Sequence, residues 1–145
     1  MTEEALATAL RRAAERTARV GEKWTPTRSR VYELLLRAEG PVKAYSLIST
    51  FSVDRETKPP TVYRALDFLE SMGLAHRIPS LSAYTACGDG LATHTVSFLV
   101  CRACGSAEAI SPKLISVVQR ASARQGFQAS TATLEVRGVC RNCQK

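Results

Sequence analysis

Apolar residues recur every three or four positions from the start of the chain up to Gly73, which is the spacing of helices that bury one face. Residues 5–20 carry Leu6, Leu10, Ala13, Ala14 and Val20 at that spacing, with Arg11, Arg12, Arg16 and Arg19 between them. A second helix is punctuated at both ends. Thr25 can cap it, Pro26 suits its first position, Val31, Leu34, Leu35 and Ala38 form its apolar stripe, and Gly40-Pro41 stops it. A short third helix is predicted from Ala44 to Phe51, burying Leu47, Ile48 and Phe51. Lys43 precedes it, where Ser or Asp would cap better. Lys58-Pro59-Pro60-Thr61 opens a fourth helix whose buried face is Val62, Ala65, Leu66 and Leu69.

After Gly73 the period changes. Two short β-like runs, 74–78 and 83–86, flank Pro79-Ser-Leu-Ser82, which reads as a hairpin with Pro on an edge. Helices followed by a hairpin are the plan of a winged-helix domain. In that plan the last helix enters the major groove of DNA and the hairpin rides the phosphate backbone. The outward residues of the fourth helix are Thr61, Tyr63, Arg64 and Asp67. An Arg there can bond both acceptors of a guanine edge, and Thr and Tyr hydroxyls suit phosphate oxygens. The start of the helix is expected to offer free N–H groups to a phosphate as well. Taken alone, Tyr63 and Arg64 would read as an ordinary solvated face, and the order of elements is what favours DNA.

The second half reads as a smaller mixed unit. Residues 96–100 form a strand feeding Cys101, and Ala107–Ile110 form another. Ser111-Pro112 starts a helix with Leu114, Val117, Val118 and Ala121 on one face, closed by Gly126. Phe127 to Val139, rich in Thr and Val, is expected to be a last strand. A mixed sheet with a spare edge or an apolar helix face commonly pairs with a second copy of itself. The fold class is therefore α+β, with the joint between the halves expected within residues 80–95.

The cysteines add the chemistry. Cys101-Arg-Ala-Cys104 and Cys140-Arg-Asn-Cys143 are two Cys-x-x-Cys turns. Two such turns can enclose a tetrahedral zinc ion, here as a clasp tying the last strand to the first. A redox dithiol and a pair of disulfides are the competing readings. Glu3 and Glu4 stand where a signal peptide would be basic, and no apolar run is long enough to span a membrane. A cytoplasmic setting is expected, where thiols stay reduced and paired cysteines favour metal over disulfides. The net charge of +7 suits an anionic partner without requiring one.

Cys87 is the odd thiol, lying between the chain's two histidines, His76 and His94. Nitrogen, sulfur and a carboxylate are all good zinc donors, and Asp89 and Glu108 are the local carboxylates. The competing reading takes each as an ordinary surface or core residue.

Trp24-Thr-Pro-Thr-Arg28, Ala44-Tyr45, Lys58-Pro-Pro-Thr-Val-Tyr-Arg-Ala-Leu66 and the two Cys-x-x-Cys pairs together resemble the ferric uptake regulator superfamily, and within it the zinc uptake regulators. The resemblance spans nearly the whole chain. It implies an N-terminal winged-helix DNA-binding domain (1–86), a hinge (87–95) and a small C-terminal α+β dimerisation domain (96–145). It implies two zinc ions per chain: a structural one on Cys101, Cys104, Cys140 and Cys143, and a regulatory one on His76, Cys87, His94 and Glu108, with Asp89 the alternative to Glu108. DNA contacts would fall on Tyr45, Thr61, Tyr63 and Arg64. The implied protein is a homodimer that binds double-stranded operator DNA when zinc is bound and represses zinc-uptake genes. Two histidines in all are too few for the His-rich site of the iron- and peroxide-sensing relatives, and a thiolate donor favours zinc among common divalent ions. Alternatives are a DNA-binding module with structural zinc only, or a sensor of another divalent metal.

Neither an enzyme nor a small-molecule substrate is expected. A zinc deaminase needs His-x-Glu and Pro-Cys-x-x-Cys, and the chain has neither. No nucleophile–base pair or phosphate-cradling Gly loop stands out.

Overall fold

A computed structural model describes residues 1–52, 58–87, 95–110, 113–129 and 132–144, with the backbone alone at 52, 95 and 96. The chain divides into two units, Met1–Ala92 and Thr93–Lys145. The expected hinge, 87–95, falls at that division, and its residues 88–94 lie outside the described ones.

The first unit opens with α1 (Glu3–Arg19), capped by the Thr2 hydroxyl accepting from the Ala5 N–H at 3.2 Å. Glu3 and Glu4 sit in its first turn and Arg16 and Arg19 in its last, the arrangement the helix dipole favours. Leu6 and Ala13 are buried as expected, together with Thr17, whose hydroxyl returns to the Ala13 carbonyl at 2.8 Å. Val20 is instead 61% exposed, because the helix has ended at Arg19.

Helix α2 (Pro26–Arg37) starts at the expected Thr25 cap, with Pro26 in its first turn. Its buried residues are Val31, Tyr32, Leu35 and Leu36, while Leu34 and Ala38 of the expected stripe are half-buried. The reason is tertiary: α2 packs against α1, α3 (Ala44–Ser52), α4 (Pro59–Ser71) and the small sheet, so it buries a wider face than one stripe.

Helix α4 buries Val62, Ala65, Leu66 and Leu69, the residues its period predicted. Gly73 ends it in the left-handed region, φ +67°, letting the Leu74 N–H reach back to Leu69 at 2.8 Å. The Trp24–Arg28 segment anchors this helix. The Arg28 guanidinium lies 3.4 Å from the centre of the Phe68 ring, and Trp24 meets Tyr32 edge-to-face at 6.0 Å.

The expected hairpin is present as β2 (Ala75–Ile78) and β3 (Ala83–Ala86), joined by a 3₁₀ turn over Pro79–Leu81. A third strand, β1 (Val42–Lys43), pairs antiparallel with β3, giving the order β1-β3-β2. Two residues are too few to show alternation, so β1 is invisible in the sequence pattern. Core residues from all four helices and this sheet form one cluster, among them Leu6, Tyr32, Leu47, Leu66 and Leu69.

In the second unit β4 (Thr95–Cys101) is central, antiparallel to β5 (Ala107–Ile110) and parallel to β6 (Ala132–Gly138). Helix α5 (Lys113–Arg124) supplies the crossover a parallel pair requires. Gly126, φ +71°, closes that segment, with the Phe127 N–H on Ser122. The last strand is shorter than the expected 127–139, beginning at Ala132, and Phe127 is exposed.

The apolar stripe of α5 does not pack as a core. Ile115 is its one buried residue, and Leu114, Val117 and Val118 face outward. Phe98, Val100 and Cys101 of β4 complete the interior, beside Ser97, whose hydroxyl is buried without a partner among the described residues. No described helix is long and apolar enough to cross a membrane.

Candidate metal centre and DNA interface

Strand direction brings the four thiols together. Because β4 and β6 run parallel with Cys101 opposite Gly138, both chains leave the sheet at the same end. Each then turns at once into a Cys-x-x-Cys loop. The first closes with the Gly105 N–H on the Cys101 carbonyl at 2.9 Å, Gly105 itself at φ +71°. The second closes with the Cys143 N–H on Cys140 at 2.9 Å, in a 3₁₀ turn.

All four Sγ atoms lie within 4.8 Å of one another, with Cys104 and Cys140 at 3.9 Å. Four sulfurs at tetrahedral zinc bonds of about 2.3 Å would stand about 3.8 Å apart, whereas a disulfide needs about 2.05 Å. The donors therefore fit a closed four-thiolate zinc site and do not form disulfides. The fold also readies Cys101 and Cys104 for ionisation. The Cys140 N–H donates to Cys101 Sγ at 3.3 Å, and with the Cys104 amide it draws the Cys101 thiol down to about 6. The Ser106 hydroxyl, 3.1 Å from Cys104 Sγ, lowers that thiol too. Cys143, crowded by the Cys140 and Cys104 sulfurs, is pushed up to about 12. Four thiols in so small a space resist full ionisation until a cation balances them.

The second expected ligand set is only partly on view. His76 lies on β2 opposite Thr85, and two residues further along the ladder Cys87 donates its N–H to Leu74 at 2.8 Å. The two residues thus occupy diagonal positions on one face of the β2–β3 pair. Both are half-buried. The Cys87 carbonyl accepts a hydrogen bond from the Tyr32 hydroxyl at 3.1 Å. Burial pushes the Tyr32 phenol up to about 12. His94 and the alternative carboxylate Asp89 lie outside the described residues. Glu108 is exposed on β5, in the second unit, opposite Leu99.

The expected DNA-contacting residues all belong to the first unit. Tyr45 stands at the start of α3 and is 71% exposed. Tyr63 and Arg64 are exposed on α4, and Thr61 is half-buried in its first turn. One expectation is corrected here. Pro59 and Pro60 have no N–H to offer, and the Thr61 N–H is taken by the Lys58 carbonyl at 2.9 Å, so the first three residues of α4 hold no free amide for a phosphate. Sequence reasoning missed Tyr32 and Ser106. Tyr32 sits beside the apolar stripe of α2, and nothing in its spacing announces a partner 55 residues away.

A winged-helix unit followed by a small sheet unit closed by four thiols is the architecture of a metal-linked DNA-binding regulator. The chain belongs to the ferric uptake regulator family, whose profile matches residues 19–137. It is 33% identical over 145 residues to the zinc uptake regulation protein of Escherichia coli strain K12, covering 98% of this chain and 82% of that one. It is similar to the solved structure of a zinc uptake regulator complexed with zinc and DNA, at a TM-score of 0.87 and 29% identity, covering 99% of this chain and 96% of the other. It is also similar to the crystal structure of holo XcZur, at a TM-score of 0.82 and 38% identity, covering 92% and 95% of the two chains.

Proposed function

We propose that the protein is a zinc-responsive transcriptional repressor that binds operator DNA as a homodimer in the cytoplasm and controls zinc-uptake genes. The observation that carries this reading is the pairing of a winged-helix unit with four convergent thiols in a chain similar over nearly its full length to zinc uptake regulators. It is a regulator and not an enzyme.

Two zinc sites divide the work. Cys101, Cys104, Cys140 and Cys143 would hold one ion permanently, since a closed thiolate site contributes about 10–16 kcal/mol of apparent binding free energy at neutral pH. His76, Cys87, His94 and Glu108 would hold the second. Zinc there would supply a compact dication suited to nitrogen, sulfur and oxygen donors.

These ligands come from both units and from the segment between them, so ligation by all four would select one arrangement of the recognition helices. In a dimer that arrangement must match half-sites about 34–36 Å apart, or a multiple of that distance. Moving the population from mostly incompetent to mostly competent takes about 5.5 kcal/mol of differential affinity, within reach of one four-ligand site. Arg64 would read a guanine edge, with Tyr45, Thr61 and Tyr63 on phosphates or neighbouring bases.

The test is operator binding in graded free zinc, with metal content per chain measured alongside. His76→Ala and Cys87→Ser are each expected to abolish the zinc dependence while the dimer stays folded and keeps one zinc per chain. Unaltered zinc-dependent binding in either variant would refute the regulatory site. Loss of the exchangeable zinc with no loss of DNA affinity would leave a DNA-binding module with structural zinc only.

A further inference from the structure

Cys87 is anchored on both sides of its own residue. Its N–H donates to the Leu74 carbonyl at 2.8 Å, which carries the β2–β3 ladder one position past Ala75 and Ala86. Its carbonyl accepts from the Tyr32 hydroxyl at 3.1 Å. The donor has little room to adjust. Tyr32 is 1% exposed, sits within the core beside Val31 and Leu35, and is braced edge-to-face by Trp24. A hydroxyl on so buried a ring needs a partner, and the Cys87 carbonyl provides it.

The hydrogen bond therefore does more than satisfy a phenol. It ties the backbone of Cys87 to the central helix of the DNA-binding unit and leaves the side chain on the sheet face that also carries His76. A ligand residue already in place loses less conformational freedom when it captures an ion.

We propose that Tyr32 is a positioning residue for the regulatory zinc site, presetting Cys87 beside His76 through its hydrogen bond to the Cys87 carbonyl. This rests on the reading of Cys87 as a zinc ligand given above. Groups one step removed from a metal typically change its affinity about 10–100-fold when removed. Tyr32 acts through a backbone carbonyl and not on the sulfur itself, so the low end of that range applies.

Tyr32→Phe keeps the ring and deletes the hydroxyl. In the full-length protein it is expected to weaken the exchangeable zinc about tenfold, measured by competition with a chromophoric chelator, while the four-thiolate zinc content stays unchanged. In a Cys87→Ser background, where the exchangeable ion is already lost, the same substitution should leave the residual zinc-independent operator affinity unchanged, because the residue it positions is no longer a ligand. A purely structural role for Tyr32 predicts that this residual affinity falls in both backgrounds, and that result would overturn the proposal.

Wild-type protein supplies a second measurement that does not depend on how the variant folds. In chelator-treated protein the Cys87 amide should already exchange slowly with solvent, whereas exchange at the free-peptide rate until zinc is added would overturn presetting. The underlying ligand assignment fails separately. If Cys87→Ser leaves the exchangeable affinity unchanged, both readings fall; if it weakens zinc and Tyr32→Phe does not, only the role of Tyr32 falls.

Discussion

The two units of this chain are stable for different reasons. The first has an interior drawn from four helices and a sheet, with Val31, Val62, Leu66 and Leu69 fully buried. The second buries Phe98, Val100, Cys101 and Ile115, and leaves Leu99, Leu114, Val117, Val118, Phe127 and Val136 exposed. Hydrophobic burial at about 25 cal/mol per Å² can sustain the first, but so small an interior leaves the second short. A metal clasp across the ends of β4 and β6 would offset part of that shortfall, and a partner copy seated on the exposed apolar face would offset more. The difference suits a regulator. The reading head must keep its shape whether or not metal is present, while the unit that holds metal and partner can depend on both.

The largest expected effect comes from opening the clasp. Cys140→Ser should forfeit most of the roughly 10–16 kcal/mol that a structural zinc contributes. Residues 95–144 should then become protease-sensitive, with zinc content falling, while the helices of the first unit persist by circular dichroism. Equal protease resistance in the metal-free variant would break the contrast between the units.

The mirror-image experiment is a core truncation. Leu69→Ala should cost about 2–5 kcal/mol in the first unit and lower its thermal midpoint, with the four-thiolate zinc retained. Loss of that zinc alongside would show that the two units do not stand on separate supports.

The smallest effect sharpens the account of the exposed face. Val117 is 55% exposed, so Val117→Asp should leave the unit folded and metal-loaded but weaken self-association roughly tenfold, the scale of truncating one useful interface residue. Sedimentation at graded concentration would read this, and an unchanged dimer would place the interface elsewhere.

Much of the first unit was legible because its signals are local. Thr25-Pro26, Pro59-Pro60 and Gly73 mark helix ends through backbone chemistry that operates within a turn, and the buried face of α4 follows directly from its period. The α5 stripe was legible as one apolar face, but its exposure was not, since period reveals which residues share a face and not what covers that face. The supposed free amides of α4 were lost to two prolines and one turn hydrogen bond.

By itself, then, the sequence determined the helices, the hairpin, the α+β class and the identity of the paired thiol donors, because each is encoded by neighbours a few residues apart. Only the tertiary structure decided that β4 and β6 run parallel, so that cysteines 36 residues apart converge within 3.9 Å. Only it could add β1 to the wing and carry the Tyr32 hydroxyl to the Cys87 carbonyl. Strand direction and long-range hydrogen bonds come from how whole elements pack, and no local pattern of residues records that.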